Sequence, residues 1–225
     1  MMRSGLWPKA SGDVVAVVGA AIAAWTILAA LAMGRTGMLD RFLGGSPLWT
    51  AGFACVAGVG AVAWLRSRGV YRIVRAPAPL WAMLAAAACA AIAIVIDIAA
   101  PLPAGITIAW PMSLAFYPAI ALVAEFALHA APLAILWAGA GLAGPQRRVA
   151  LRNAAIVAVV LIEPLYQLRG AALDAAGLAF AVNILAFNVL QLHVYRRNGF
   201  AWMVVLRLIY YAIWHIAWGA ARAAF

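Results

Sequence analysis

Apolar residues run along this chain in blocks of about twenty, broken by short stretches of arginine, proline and glycine. A helix rises ~1.5 Å per residue and the hydrocarbon core of a bilayer is ~30 Å thick, so each block is long enough for one crossing. The blocks predict seven spans, near 13–33, 47–65, 80–100, 112–143, 149–168, 174–194 and 200–222. The fourth is over-long and contains Pro118 and Pro132, so a kinked helix, or a helix plus a re-entrant piece, is expected there. The first block is too long for the apolar core of a signal peptide, and Gly34-Arg35 beyond it is a poor cleavage context. It is read as a retained helix. The predicted fold class is all-α: a polytopic transmembrane helix bundle forming one integral membrane domain over residues 1–225.

Composition agrees with the pattern. Of 225 residues, 68% are hydrophobic and 10% charged, where a soluble domain of this size carries roughly 25% charge. The net charge of +10 comes from 16 Lys+Arg against 6 Asp+Glu. The basic residues lie in short loops between apolar blocks, with no aromatic-interleaved basic patch, so they report topology and not nucleic acid. With the N-terminus in the cytoplasm, the inner side receives Arg3, Lys9, Arg66, Arg68, Arg72, Arg75, Arg147, Arg148, Arg152, Arg196 and Arg197. The outer side receives Arg35, Arg41, Arg169 and Arg222, and the loop 101–111 has no basic residue. That asymmetry predicts a multi-pass protein of a bacterial cytoplasmic (inner) membrane with a cytoplasmic N-terminus, its first partner being the lipid bilayer. Cys55 and Cys89 fall inside apolar blocks without CxxC spacing and read as small hydrophobes.

An ionisable side chain at mid-membrane costs at least ~2.5 kcal/mol on insertion scales, so each one is a candidate for function. Glu125, Glu163, Arg207 and Asp97 lie inside predicted spans, as do His129 and His215. Asp97 is close enough to a span end to reach external water, and Asp174 and His193 lie near interfaces. Glu125 and His129 share a face at i, i+4, as do Glu163 and Gln167, and Asn183 and Phe187. Arg207, Tyr211 and His215 run down one face of the seventh span. Polar stripes on four successive helices are expected to face one another, because lipid offers them no partner. Counting residues from the inner span ends puts Glu163 level with His215. The expected cluster is therefore Glu125, His129, Glu163 and His215, with Arg207 nearer the cytoplasm as a counter-charge.

Carboxylates beside imidazoles in a dry site suit general acid/base work. Glu125, His129 and His215 also offer one oxygen and two nitrogens to a divalent metal. The spacing is not HExxH, and no cofactor is expected. The same buried pairs can equally serve to join helices and fix their register.

The order of motifs in the C-terminal half resembles a family. Glu125-Phe-Ala-Leu-His129 precedes a polar fifth span; Tyr195-Arg-Arg-Asn-Gly199 joins the sixth to the seventh; and the seventh carries Trp214-His215-Ile-Ala-Trp218-Gly219. This is similar to the four-helix core of the CAAX-protease and bacteriocin-processing (CPBP, or Abi) intramembrane proteases, with EExxxR, FxxxH, a YxRxG turn and HxxxN. The resemblance covers residues 112–222 and leaves residues 1–100 as three accessory helices. Ala124 stands where the family has the first Glu, His129 where it has Arg, and Gly219 where it has Asn; Glu163 or Gln167 occupies the place of FxxxH.

The resemblance implies an intramembrane endopeptidase acting on a membrane-associated peptide or protein substrate. Glu125 would activate water and His215 would polarise the carbonyl or hold the oxyanion, with His129 and Arg207 taking over lost roles. The alternatives are a catalytically inactive CPBP-like membrane protein acting as an immunity or interaction partner, and a small proton-coupled transporter. If Glu125 and His215 share one water-accessible cavity, the enzyme reading gains. If each is capped by a different partner, the inactive reading gains.

Overall fold

The computed structural model describes residues 12–34, 36–101, 107–168 and 174–222. Arg3, Lys9, Arg35 and Arg169, which enter the charge count, lie outside the described residues. The elements are α1 (Gly12–Gly34), the short α2 (Thr36–Leu43), α3 (Pro47–Ser67), α4 (Leu80–Ala99), α5 (Ser113–Gly141), α6 (Pro145–Leu168), α7 (Ala175–Asn198) and α8 (Phe200–Arg222). Seven of them, all but α2, are long and apolar enough to cross a membrane. The chain is an integral, multi-pass helical membrane protein.

The last four spans close into a ring, with α5 against α6 and α8, and α7 against α6 and α8. Outside it, α1 and α3 pack on α5, while α4 packs on α7 and α8. Bulky apolar side chains such as Trp49, Phe53 and Val56 are exposed on the outer surface, as lipid contact requires. Small residues let the helices approach. Gly58 of α3 faces Phe126 of α5 so closely that a Cβ there would lie 2.1 Å from its ring. Ala82, Ala86, Ala90 and Ala93 line the buried face of α4, in one cluster with Phe180 and Phe187 of α7 and Tyr210 and Trp214 of α8. Lipid tails are as apolar as the helices, so such close packing, and not the hydrophobic effect, holds the pairs together.

The fourth span is one continuous helix without a re-entrant break, and its six residues Glu125–Ala130 are π-helical. Proline explains the position. Pro132 has no N–H for the Leu128 carbonyl, and its ring crowds that carbonyl. Widening the preceding turn relieves the conflict, and the Ala131 N–H bonds Phe126 O, five residues back. A second π-helical stretch, Ala212–Trp218, lies in α8.

Two helices run past their apolar blocks at the arginine-rich end. α6 starts at Pro145 and not near 149, and α7 continues to Asn198 and not near 194. Arginine is a good helix former whose stem lies along apolar surface while its head reaches water, so helix and apolar block need not end together.

The α7–α8 turn is bound to the loop that follows α3. Phe200 N–H donates to Arg72 O and Ala201 N–H to Ile73 O, both at 2.9 Å, and Arg75 N–H donates to Asn198 O at 2.9 Å. Two of the first N–H groups of α8, which lack helical partners, are satisfied in this way. Gly199 makes the turn possible. Its φ is +110°, and an added Cβ would sit 2.6 Å from Ile73 O.

Candidate functional site

Each helix of the ring contributes to a single buried polar cluster, with Glu125 from α5, Glu163 from α6, Gln191 from α7 and Arg207 from α8 at its heart. Arg207 stands at its centre, only 1% exposed, and Glu125 and Gln191 are fully buried. The guanidinium grips Glu163 with two parallel bonds, Nη1 to Oε1 at 2.8 Å and Nη2 to Oε2 at 2.7 Å. Its Nε donates to Glu125 Oε1, Nη2 to Gln191 Oε1 at 3.0 Å, and Nη1 to Tyr211 Oη at 3.3 Å. A guanidinium has five N–H donors, and all five are used here.

Gln191 is equally saturated. Its amide nitrogen donates to Glu125 Oε1 and to the Met203 carbonyl at 3.3 Å, while its oxygen accepts from Arg207. On Glu125, Oε1 thus accepts from two donors. Oε2 lies 2.9 Å from His129 Nδ1, one turn along the same helix. The two atoms form a close polar contact. No water fits between the two atoms. His129 Nε2 is buried with no partner among the described residues.

His215 is elsewhere. It lies about 12 Å along α8 from Arg207. Its ring is stacked on Tyr117 (centroids 4.5 Å, 13° between planes), edge-on to Tyr211 at 4.9 Å and against Trp214 at 4.0 Å. Its Nδ1 has no hydrogen-bond partner among the described residues. Tyr117 Oη is engaged too, accepting the Ile108 N–H at 2.8 Å. Tyr211 joins the two regions, with its hydroxyl on Arg207 and its ring on His215.

The structure therefore brings together Glu125, His129, Glu163 and Arg207, and sets His215 in an aromatic cage. Arg207 is the hub of the cluster, not a counter-charge below it. Among the described residues, no three His, Cys, Asp or Glu side chains group as a metal would need. Gln167 is exposed. Asn183 bonds Cys89 O of α4 at 2.9 Å, and Asp174 caps α7 by accepting the Gly177 N–H at 2.8 Å. Asp97, expected to reach external water, is instead buried, accepting from Trp218 Nε1 at 2.7 Å and from Arg222 at 3.0 and 3.1 Å. The chain turns Asp97 inward because α8 supplies both donors on one face, at i and i+4.

Gln191 is the member that reading for ionisable groups passes over. The sign of it is periodic: Asn183 and Phe187 are one turn apart, and Gln191 is the next position on that face.

A cluster of two carboxylates and one guanidinium at this depth is costly unless every group is matched. The arrangement can fix the register of four helices with one side chain. Glu125 Oε2 accepts no hydrogen bond among the described residues, but it is buried beside His129 with no surface exposed. Comparisons of the chain with protein-family models, with curated proteins and with solved structures found no match.

Proposed function

We propose that this chain is a CPBP-like membrane protein that is catalytically silent and acts as an immunity or interaction partner in the membrane. One observation carries the proposal: the residue that would activate water, Glu125, is fully buried, with Oε1 held by Arg207 and Gln191 and Oε2 against His129. A general base needs a water within about 3 Å of a free lone pair. Here the positions that the resemblance assigns to peptidase chemistry are used to join α5, α6, α7 and α8. His215, the second group such chemistry would need, has a different set of partners. The proposed setting is a bacterial inner membrane with the N-terminus in the cytoplasm, on the strength of the arginine distribution.

Glu125→Gln tests the proposal, because the amide keeps the size of the side chain and removes both the base and the charge. Wild type and variant are reconstituted in liposomes and screened against membrane-anchored peptides, with thermal unfolding followed in detergent. The silent reading expects no cleavage by wild type and a lower unfolding temperature for Glu125→Gln. Cleavage by wild type that falls about 10²–10⁴-fold in a stably folded variant would establish the peptidase instead.

A further inference from the structure

Connecting segments ordinarily run loosely over a protein surface, but the one between α3 and α4 is tied down and turned inward. Its side chains alternate in burial: Tyr71 and Ile73 are buried, while Arg72 and Val74 are exposed. Main-chain bonds join it to the α7–α8 turn. Asn198 adds its side chain, with Nδ2 donating to Pro77 O at 2.7 Å and to Ala76 O at 3.4 Å.

The place it reaches is the arginine-rich mouth of the ring. Tyr71 lies against Tyr195 of α7 (centroids 4.4 Å) and edge-on to Trp137 of α5 (5.9 Å). Those two helices are opposite members of the ring, each packed on α6 and α8, so one side chain of the loop bridges the mouth. α6 joins through Arg152, whose guanidinium lies over the Trp137 ring at 4.9 Å, and α8 through Phe200, 5.7 Å from Tyr195. Below this layer Phe200 is stacked on Phe126 (5.4 Å, 5° between planes), the residue that follows Glu125. Gln191 is one turn, about 6 Å, from Tyr195, and His129 is about 12 Å along α5 from Trp137. The aromatic layer therefore stands between the buried cluster and the water at this end of the bundle.

The cluster needs such a barrier. Its ion pairs are strong in a medium of low dielectric and weak beside water, which would compete for the donors of Arg207. Tyr195 Oη and His129 Nε2 are buried without a partner among the described residues, and are polar atoms that water entering by this route would meet.

We propose that residues 69–79 are a plug that seals the arginine-rich mouth of the ring against water, with Tyr71 as its stopper and the α7–α8 turn as its seat. The plug keeps Glu125, Glu163, Gln191 and Arg207 in a low-dielectric setting, and does so whether or not the protein has an activity.

The test is thiol labelling of the full chain in lipid nanodiscs, where the reagent meets both membrane faces. In a Cys55→Ala/Cys89→Ala background, Leu133→Cys puts a reporter under the plug, at a fully buried position one turn from both His129 and Trp137. Ser113→Cys, buried at the opposite end of α5, is the control. A charged methanethiosulfonate should label neither position while Tyr71 is in place. Tyr71→Ala should speed labelling at position 133 by about tenfold or more, and at position 113 by less than about twofold. Tyr71→Phe keeps the ring and should leave position 133 protected. Unfolding temperatures confirm that the variants are folded; should Tyr71→Ala unfold, Asn198→Ala replaces it, loosening the seat through loss of the bonds to Pro77 and Ala76, with the same contrast between the two positions. Rapid labelling of Leu133→Cys with Tyr71 in place would overturn the plug. So would unchanged labelling in Tyr71→Ala, or equal gains at the two positions, which would reduce the effect to general loosening.

Discussion

Removing Arg207 should be the most damaging single change in the ring. Arg207→Met keeps an unbranched side chain of similar length and deletes the cation. Glu125 and Glu163 are then left facing one another in a buried site, and Gln191 and Tyr211 each lose a donor. Breaking a buried ion pair from one side typically costs about 3–5 kcal/mol, because the remaining charge stays buried without a partner. For a chain of this size each kcal/mol moves the midpoint by about 2–4 °C, so a fall of roughly 6–20 °C is expected in detergent. The informative comparison is the triple variant Glu125→Gln/Glu163→Gln/Arg207→Met. It removes all three charges together and should recover most of the loss, since a neutral set leaves no naked carboxylate. Arg207→Lys should fall between wild type and Arg207→Met, because an ammonium has three donors on a flexible stem and cannot make the paired contact to Glu163. Unfolding followed by intrinsic fluorescence and by size-exclusion survival after heating would read all of these. A fall under 2 °C for Arg207→Met, or a triple variant less stable than the single, would refute the hub.

Two further outcomes are expected. Gly199→Ala should lose about 1–3 kcal/mol from its positive φ alone, and the Cβ against Ile73 O should loosen the loop after α3; limited proteolysis within residues 69–79 is the readout, and unchanged cleavage and melting would show that the turn tolerates a side chain. Reporter fusions at Arg72 and Arg148 should read cytoplasmic and one at Trp110 external, and agreement of all three on one side would break the seven-span topology.

How much of this is legible in the sequence depends on the kind of residue. The spans can be read because each apolar block matches the bilayer thickness, and their ends blur where arginine continues a helix past the block, as in α6 and α7. Glu125, His129, Glu163 and Arg207 stand out because a charge or an imidazole at that depth is rare. Gln191 does not, since an amide costs less and carries no charge, yet it donates to Glu125 and accepts from Arg207. His215 misleads for a geometric reason. Levelling helices by counting from their inner ends assumes that those ends are coplanar. Glu163 meets Arg207 although it lies about 27 Å from the start of α6, and Arg207 only about 10 Å from the start of α8. The α5–α6 pair is therefore offset from α7–α8, and His215 meets Tyr117 in place of Glu163.

Why such a cluster stands in the middle of a bundle follows from the solvent. Water drives helices together by hiding apolar faces, but lipid does not, so apolar packing alone leaves registers that differ little in energy. Alanine-rich helices such as α4 make the problem worse, because an alanine stripe fits several offsets almost equally well. A guanidinium removes the ambiguity. Its donors point in fixed directions, and sliding any one of α5, α6 or α7 by a turn would separate Glu125, Glu163 or Gln191 from it by about 5.4 Å. The penalty for a wrong register is then an unpaired charge in hydrocarbon, far larger than the gain from any apolar contact. The same geometry constrains chemistry. A carboxylate that fixes register must be held by donors at all times, whereas one that activates water must be free to take a proton. In this chain Glu125 Oε1 is bound to the first task by two other helices of the ring, and Oε2 stands buried beside His129.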